Sequence, residues 1–158
     1  MGIAGSITHA GFESILDILE SNLSESSCLF DVGHGLGIPF YILHNRRLIN
    51  NFIGCEICPL KAWKSTEMRR ILEPFFIKIS KPLSTVSIKL LCCSVECLAN
   101  LDTGLQPATH VYAAWEGWSP ASMEALGTLF SRTPTTMYIY VRTWFSCKKA
   151  TERAARTC

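Results

Sequence analysis

The sequence predicts an α/β protein in which a mostly parallel β-sheet lies between two layers of helices, and three observations predict it. Short β-rich segments alternate with segments of helical period along most of the chain. The stretch Leu29-Phe30-Asp31-Val32-Gly33-His34-Gly35-Leu36-Gly37 joins an apolar strand to a glycine-rich turn and then to a helix, the opening of a βαβ unit. Polar side chains, Asp31, Glu56, Ser94 and Glu116, fall at the carboxyl ends of successive strands, where parallel sheets of this kind form their ligand crevice.

Each element follows from local pattern. The loop Gly5-Ser6-Ile7-Thr8 offers Thr8 or Ser6 as the cap of a first helix. In that helix Phe12, Ile15, Leu16, Leu19 and Leu23 recur at helical spacing, with Glu13, Asp17 and Glu20 on the other side. A polar turn, Ser24 to Ser27, leads into the first strand, Cys28 to Asp31. The glycines at 33, 35 and 37 permit positive φ, so the chain doubles back and can bring backbone N–H groups against a ligand. His34 reads as an exposed turn residue that could also face that ligand.

Ile38-Pro39-Phe40-Tyr41-Ile42-Leu43 then reads as a buried helix, with Pro39 in the first turn, where an N–H has no intrahelical partner. It ends near His44-Asn45-Arg46-Arg47, whose bases favour the C-terminal carbonyls. Asn51 to Glu56 form the second strand, and Pro59 opens a long helix expected to turn Leu60, Trp63, Ile71, Leu72 and Phe75 toward the core. Val86 to Cys92 are β-rich and read as a third, buried strand; Thr109 to Trp115 make the fourth. Ser119-Pro120 caps a helix carrying Met123, Leu126, Leu129 and Phe130, and Met137 to Val141 make the fifth strand.

The result is a Rossmann-like three-layer sandwich with right-handed crossovers, shortened after its fifth strand. We read residues 1–158 as one domain: an N-terminal loop and helix (1–27), a βα core (28–143) and a basic C-terminal tail (144–158) containing Lys148, Lys149, Arg153 and Arg156.

Composition supports an ordered chain. At 158 residues, 48% hydrophobic and 18% charged, it is greasy enough to exclude disorder and coiled coil. A net charge of +2 gives no argument for a nucleic-acid or membrane partner. No apolar run approaches the ~20 residues of a spanning helix, and the start lacks a secretory layout, so an intracellular protein is expected. Met1-Gly2 with Ser6 matches a myristoylation pattern, one short enough to recur by chance. The eight cysteines sit among apolar residues and read as small hydrophobes. Cys55-x-x-Cys58 with Cys93-x-x-x-Cys97 could be four zinc ligands, but Cys55 lies inside a strand and the second spacing is loose, so no metal is expected.

The glycine spacing chooses between ligands. A dinucleotide fingerprint needs a third glycine where this chain has Ile38 or Phe40, which disfavours a nicotinamide oxidoreductase. The pattern present, D-x-G-x-G-x-G with Glu56 19 residues beyond Gly37, resembles the first motif of class I S-adenosylmethionine-dependent methyltransferases. That resemblance implies S-adenosylmethionine as cofactor, held by Asp31, Gly33, His34, Gly35, Gly37 and by Glu56 on the ribose, with Ser94 and Glu96 near the adenine. It also implies seven strands, of which this chain supplies five.

Gly5 to Phe12, the helix after it, the turn and Gly54-Cys55-Glu56-Ile57 together resemble the non-SET histone-lysine methyltransferases, the disruptor-of-telomeric-silencing family, over about the first 80 residues. This implies Thr8 as a cofactor contact, a lysine amine as acceptor, a histone or nucleosome as partner and a nuclear location; otherwise a cytoplasmic one is expected. Two departures stand out: Ser6 replaces an acidic residue, and Ala113-Ala114-Trp115 replaces a polar asparagine segment. Trp115, Glu116 and Trp118 are then the candidates to orient the acceptor, the tryptophans by contact with the methylsulfonium or the ammonium. The competing expectation is an inactive or truncated methyltransferase-like binding module.

Overall fold

The computed structural model describes residues 7–46, 48–79, 87–100, 104–114, 118–133 and 138–141, with 73, 75–79 and 138–141 as backbone only. In chain order the elements are α1 (His9–Leu19), a 3-10 turn (Glu20–Asn22), β1 (Cys28–Val32), α2 (Ile38–Asn45), β2 (Asn51–Glu56), α3 (Pro59–Ile79), β3 (Ser87–Cys92), α4 (Val95–Ala99), β4 (His110–Ala113), α5 (Pro120–Ser131) and β5 (Tyr138–Val141).

The five strands form one sheet in the order β3-β2-β1-β4-β5, and every pairing is parallel. The predicted α/β sandwich is therefore present. Strand β1 is central, and all five of its side chains are buried, as a parallel strand covered on both faces requires.

Alternation along the strands divides the interior into two cores. On one face Leu29, Phe52 and Tyr112 pack with Phe12, Leu16 and Leu19 of α1 and with Phe40 and Leu43 of α2. On the other, Phe30, Val32, Val111 and Ala113 pack with Val95 and Leu98 of α4 and Leu126 and Leu129 of α5. Helix α1 starts where expected: Thr8 is extended, and its hydroxyl accepts the Gly11 N–H at 3.1 Å. Arg46, at the C-terminal cap of α2, does more than face carbonyls. It reaches Glu13 at 3.0 Å, Asp17 at 3.6 Å and Glu20 at 3.7 Å, tying α2 to the acidic side of α1.

Four points of the sequence reading are corrected. Strand β3 is an edge strand, not a buried one: Ser87, Lys89 and Cys92 are exposed, because only β2 flanks it. Helix α3 presents the opposite side from the one expected. Ala62 and Ser65 face inward, where small side chains allow close approach, while Leu60, Trp63 and Ile71 are exposed; Leu72 is half-buried, and the Phe75 side chain lies outside the described residues. Helix α4, five residues long, was not expected at all; it is too short to show a period. Strand β4 ends at Ala113, short of the predicted Trp115.

Candidate functional site

Asp31, the glycine turn and Glu56 meet at the carboxyl ends of β1 and β2. The turn is made possible by Gly33, Gly35 and Gly37, with φ of +84°, +54° and +80°. It is folded back on β2. The Gly33 and His34 N–H groups both donate to the Cys55 carbonyl, at 2.8 and 3.1 Å, and the Gly37 N–H donates to the His34 carbonyl at 2.7 Å.

Glu56 closes the arrangement. One carboxylate oxygen accepts the Gly35 N–H at 3.0 Å and the other accepts the Cys58 N–H at 2.8 Å, in a side chain only 5% exposed. The expectation that the turn's N–H groups point at a ligand is thus corrected: four of the five are satisfied internally. Such a turn has little left to offer a pyrophosphate, which binds through free backbone N–H groups.

His34 is buried rather than exposed. Its ring lies on Gly54 so closely that a Cβ there would stand 2.7 Å from His34 Cδ2. Gly54 is a packing position whose role the pattern did not show, although a glycine inside a strand is itself a signal of close approach. Burial pushes the His34 imidazole below its ordinary pKa, partly offset by Glu56, and neither ring nitrogen has a hydrogen-bond partner among the described residues.

Asp31 is fully buried between Gly54 and Tyr112, its register partners, and its Oδ2 is likewise unpartnered. Desolvation first, and the neighbouring Glu56 second, push its carboxyl up to about 8. At neutral pH the Asp31 carboxyl therefore keeps its proton for the most part. Cys55, at the same strand end, is pushed up to about 12 chiefly by burial, so it is a packed thiol and no nucleophile. Among the described residues no three His, Cys, Asp or Glu side chains gather to hold a metal.

The remaining predicted residues divide. Ser94 caps α4, its hydroxyl accepting the Cys97 N–H at 3.3 Å. Glu96 accepts a short 2.5 Å hydrogen bond from Ser122 of α5, and this bond is the first cause holding its carboxyl below the ordinary value. Both stand at the carboxyl edge of the sheet, Ser94 engaged within α4 and Glu96 in joining α4 to α5. Thr8 is occupied as a helix cap. Trp115 and Glu116 lie outside the described residues. Trp118, the third of these candidates, stands beside the turn: a Cβ on Gly33 would lie 3.9 Å from its ring.

Space beside the turn is available at Gly35, where a Cβ would meet nothing within 4 Å. Two clefts of about 280 and 260 Å³ open elsewhere, one beneath β1 to β3 beside Gly104 to Pro107, the other between α3 and β3.

No protein-family model matches the chain, and no curated protein matches it in sequence. Solved structures do. The chain is similar to the rRNA methyltransferase aviRa from Streptomyces viridochromogenes, with a TM-score of 0.62 and 15% identity over 87% of this chain and 74% of that one. It is similar to the methyltransferase domain of a bacterial Hen1 protein, with a TM-score of 0.59 and 14% identity over 82% of this chain and 63% of that one. The S-adenosylmethionine-bound amino pentose methyltransferase CalS10 from Micromonospora echinaspora gives a TM-score of 0.59 and 15% identity over 89% of this chain and 52% of that one. At such identity the likeness establishes the fold: the chain is built as these methyltransferases are, and spans from half to three-quarters of their length.

Proposed function

We propose that the chain binds S-adenosylmethionine at the glycine turn and transfers its methyl group, with a protein lysine as the acceptor to be tested first. One observation carries the cofactor reading: a carboxylate at the end of β2 meets the glycine turn that follows β1, in a methyltransferase fold. The residues suit this ligand better than a dinucleotide, because the turn spends its N–H groups internally while Glu56 keeps lone pairs for hydroxyls. Glu56 would hold the ribose, Gly35 would let the ligand approach, and Asp31 and His34 would fix the turn from below. When bound, the cofactor supplies an electrophilic methyl group. The chain's own task is positioning and the exclusion of water.

The lysine acceptor and a nuclear setting rest on the early-loop resemblance. The similar structures include an rRNA and an amino pentose methyltransferase, so ribosomal RNA and small amines belong in the same screen. A non-catalytic binding module is the second reading, favoured by the self-satisfied Glu56 and by Ala113 and Ala114, which cannot orient an amine.

Calorimetric titration with S-adenosylmethionine and its demethylated product, beside an NAD control, tests the cofactor reading. We expect micromolar binding of both and none of NAD. Gly35→Val forces a branched side chain to positive φ, a strain of about 1–3 kcal/mol, and should abolish binding; Glu56→Ala should weaken it. A folded protein that binds neither ligand overturns the proposal. Binding without transfer to histone, RNA or amine supports the second reading.

A further inference from the structure

Helix α3 carries its large apolar residues on the outside. Ile57 just ahead of it, and Leu60, Trp63 and Ile71 within it, are 70, 58, 60 and 55% exposed, whereas Ala62 and Ser65 face the sheet. A surface helix ordinarily does the reverse. Leu60, Trp63 and Ile71 follow the i, i+3, i+11 rows of one side, and the cleft of about 260 Å³ lies between Trp63 and Leu90 of the edge strand.

The same helix concentrates charge. Its sequence holds five basic residues, Lys61, Lys64, Arg69, Arg70 and Lys78, against Glu67 and Glu73, a net +3 where the whole chain has +2. Glu67 is engaged by Arg70 at 3.0 Å, so those two charges offset each other. Lys61 and Lys64 are the cations that stand beside the exposed apolar row.

Charge complementarity selects the occupant. A second copy of the chain would set this positive helix against itself. A single-stranded nucleic acid would use Trp63 and the cations but gain little from Ile57, Leu60 and Ile71. An anionic lipid surface satisfies both sets, since aliphatic and tryptophan side chains enter the interface while lysine and arginine meet the headgroups. We propose that α3 docks this protein peripherally on anionic membranes, through Ile57, Leu60, Trp63 and Ile71 with Lys61 and Lys64 beside them. No helix among the described residues is long and apolar enough to cross a membrane, so the contact lies in the interface. Because α3 begins three residues after Glu56, the docking face starts next to the carboxyl end of β2.

The test uses the full chain and vesicles of equal parts phosphatidylcholine and phosphatidylglycerol, read by co-sedimentation and by tryptophan emission. Binding is expected to these vesicles and not to pure phosphatidylcholine. Lys61→Glu with Lys64→Glu, or added salt, should weaken it about tenfold or more. Leu60→Ser with Trp63→Ser should do the same, while Ile18→Ser, an exposed apolar residue on α1, should leave it unchanged. Trp63→Phe should keep most of the binding and lose the blue shift in emission. Equal binding to neutral vesicles overturns the proposal, as do α3 variants that bind like the parent, a preference for oligonucleotide over lipid, or self-association that the α3 substitutions abolish.

Discussion

Asp31 is the residue whose chemistry departs furthest from its sequence context. Unfolded, it titrates near the ordinary carboxylate value of about 3.9; folded, it is pushed up to about 8. Between these values the folded chain keeps a proton that the unfolded chain has released, so its contribution to stability falls as pH rises and levels off above the folded value. Asp31→Asn keeps the shape and removes the ionisation. We expect the variant's stability advantage over the parent, measured by urea unfolding, to grow by on the order of 2–4 kcal/mol between about pH 5 and about pH 8. A difference that stays constant across that range would show that Asp31 is solvated. The motif revealed that a carboxylate stands here; its burial depends on Tyr112, 81 residues away and invisible to local pattern.

At the scale of elements, the turn and β2 form one unit, because His34 fits only over a residue without Cβ. Gly54→Ala should cost about 1–3 kcal/mol through overpacking. In a His34→Ala background the cost should shrink below about 1 kcal/mol, since the clash has lost its partner. Additive costs in the double-mutant cycle would place the strain elsewhere. Elements were legible where the residues dictate one conformation: the three glycines, the Thr8 and Ser119 caps and the apolar β1 all stand where the sequence put them. The face of α3 was not legible. A stripe of Leu60, Trp63 and Ile71 and a stripe of Ala62 and Ser65 both keep helical period, and only the close approach to β2 and β3 decides between them. Nor could the tie from Ser122 to Glu96 be read, for it joins two helices that meet only once the sheet is assembled.

For the whole molecule, strand order was the hidden variable. Alternating elements announce a parallel sheet but do not say which strand lies at its edge, and the exposure of β3 follows from that order alone. The order also sets a timetable. Central β1 pairs with β2 through Cys28↔Asn51 and with β4 through Leu29↔His110, so the second pairing closes a far longer loop. The added closure entropy is about 1 kcal/mol, and distant pairings form slowly. Pulse-labelled hydrogen exchange during refolding should therefore protect Phe52 and Ile53 before Val111 and Tyr112; simultaneous protection would refute that sequence of events. Asp31, the glycine turn and Glu56 all belong to the early partnership, so the candidate site takes shape while the far side of the sheet is still being recruited.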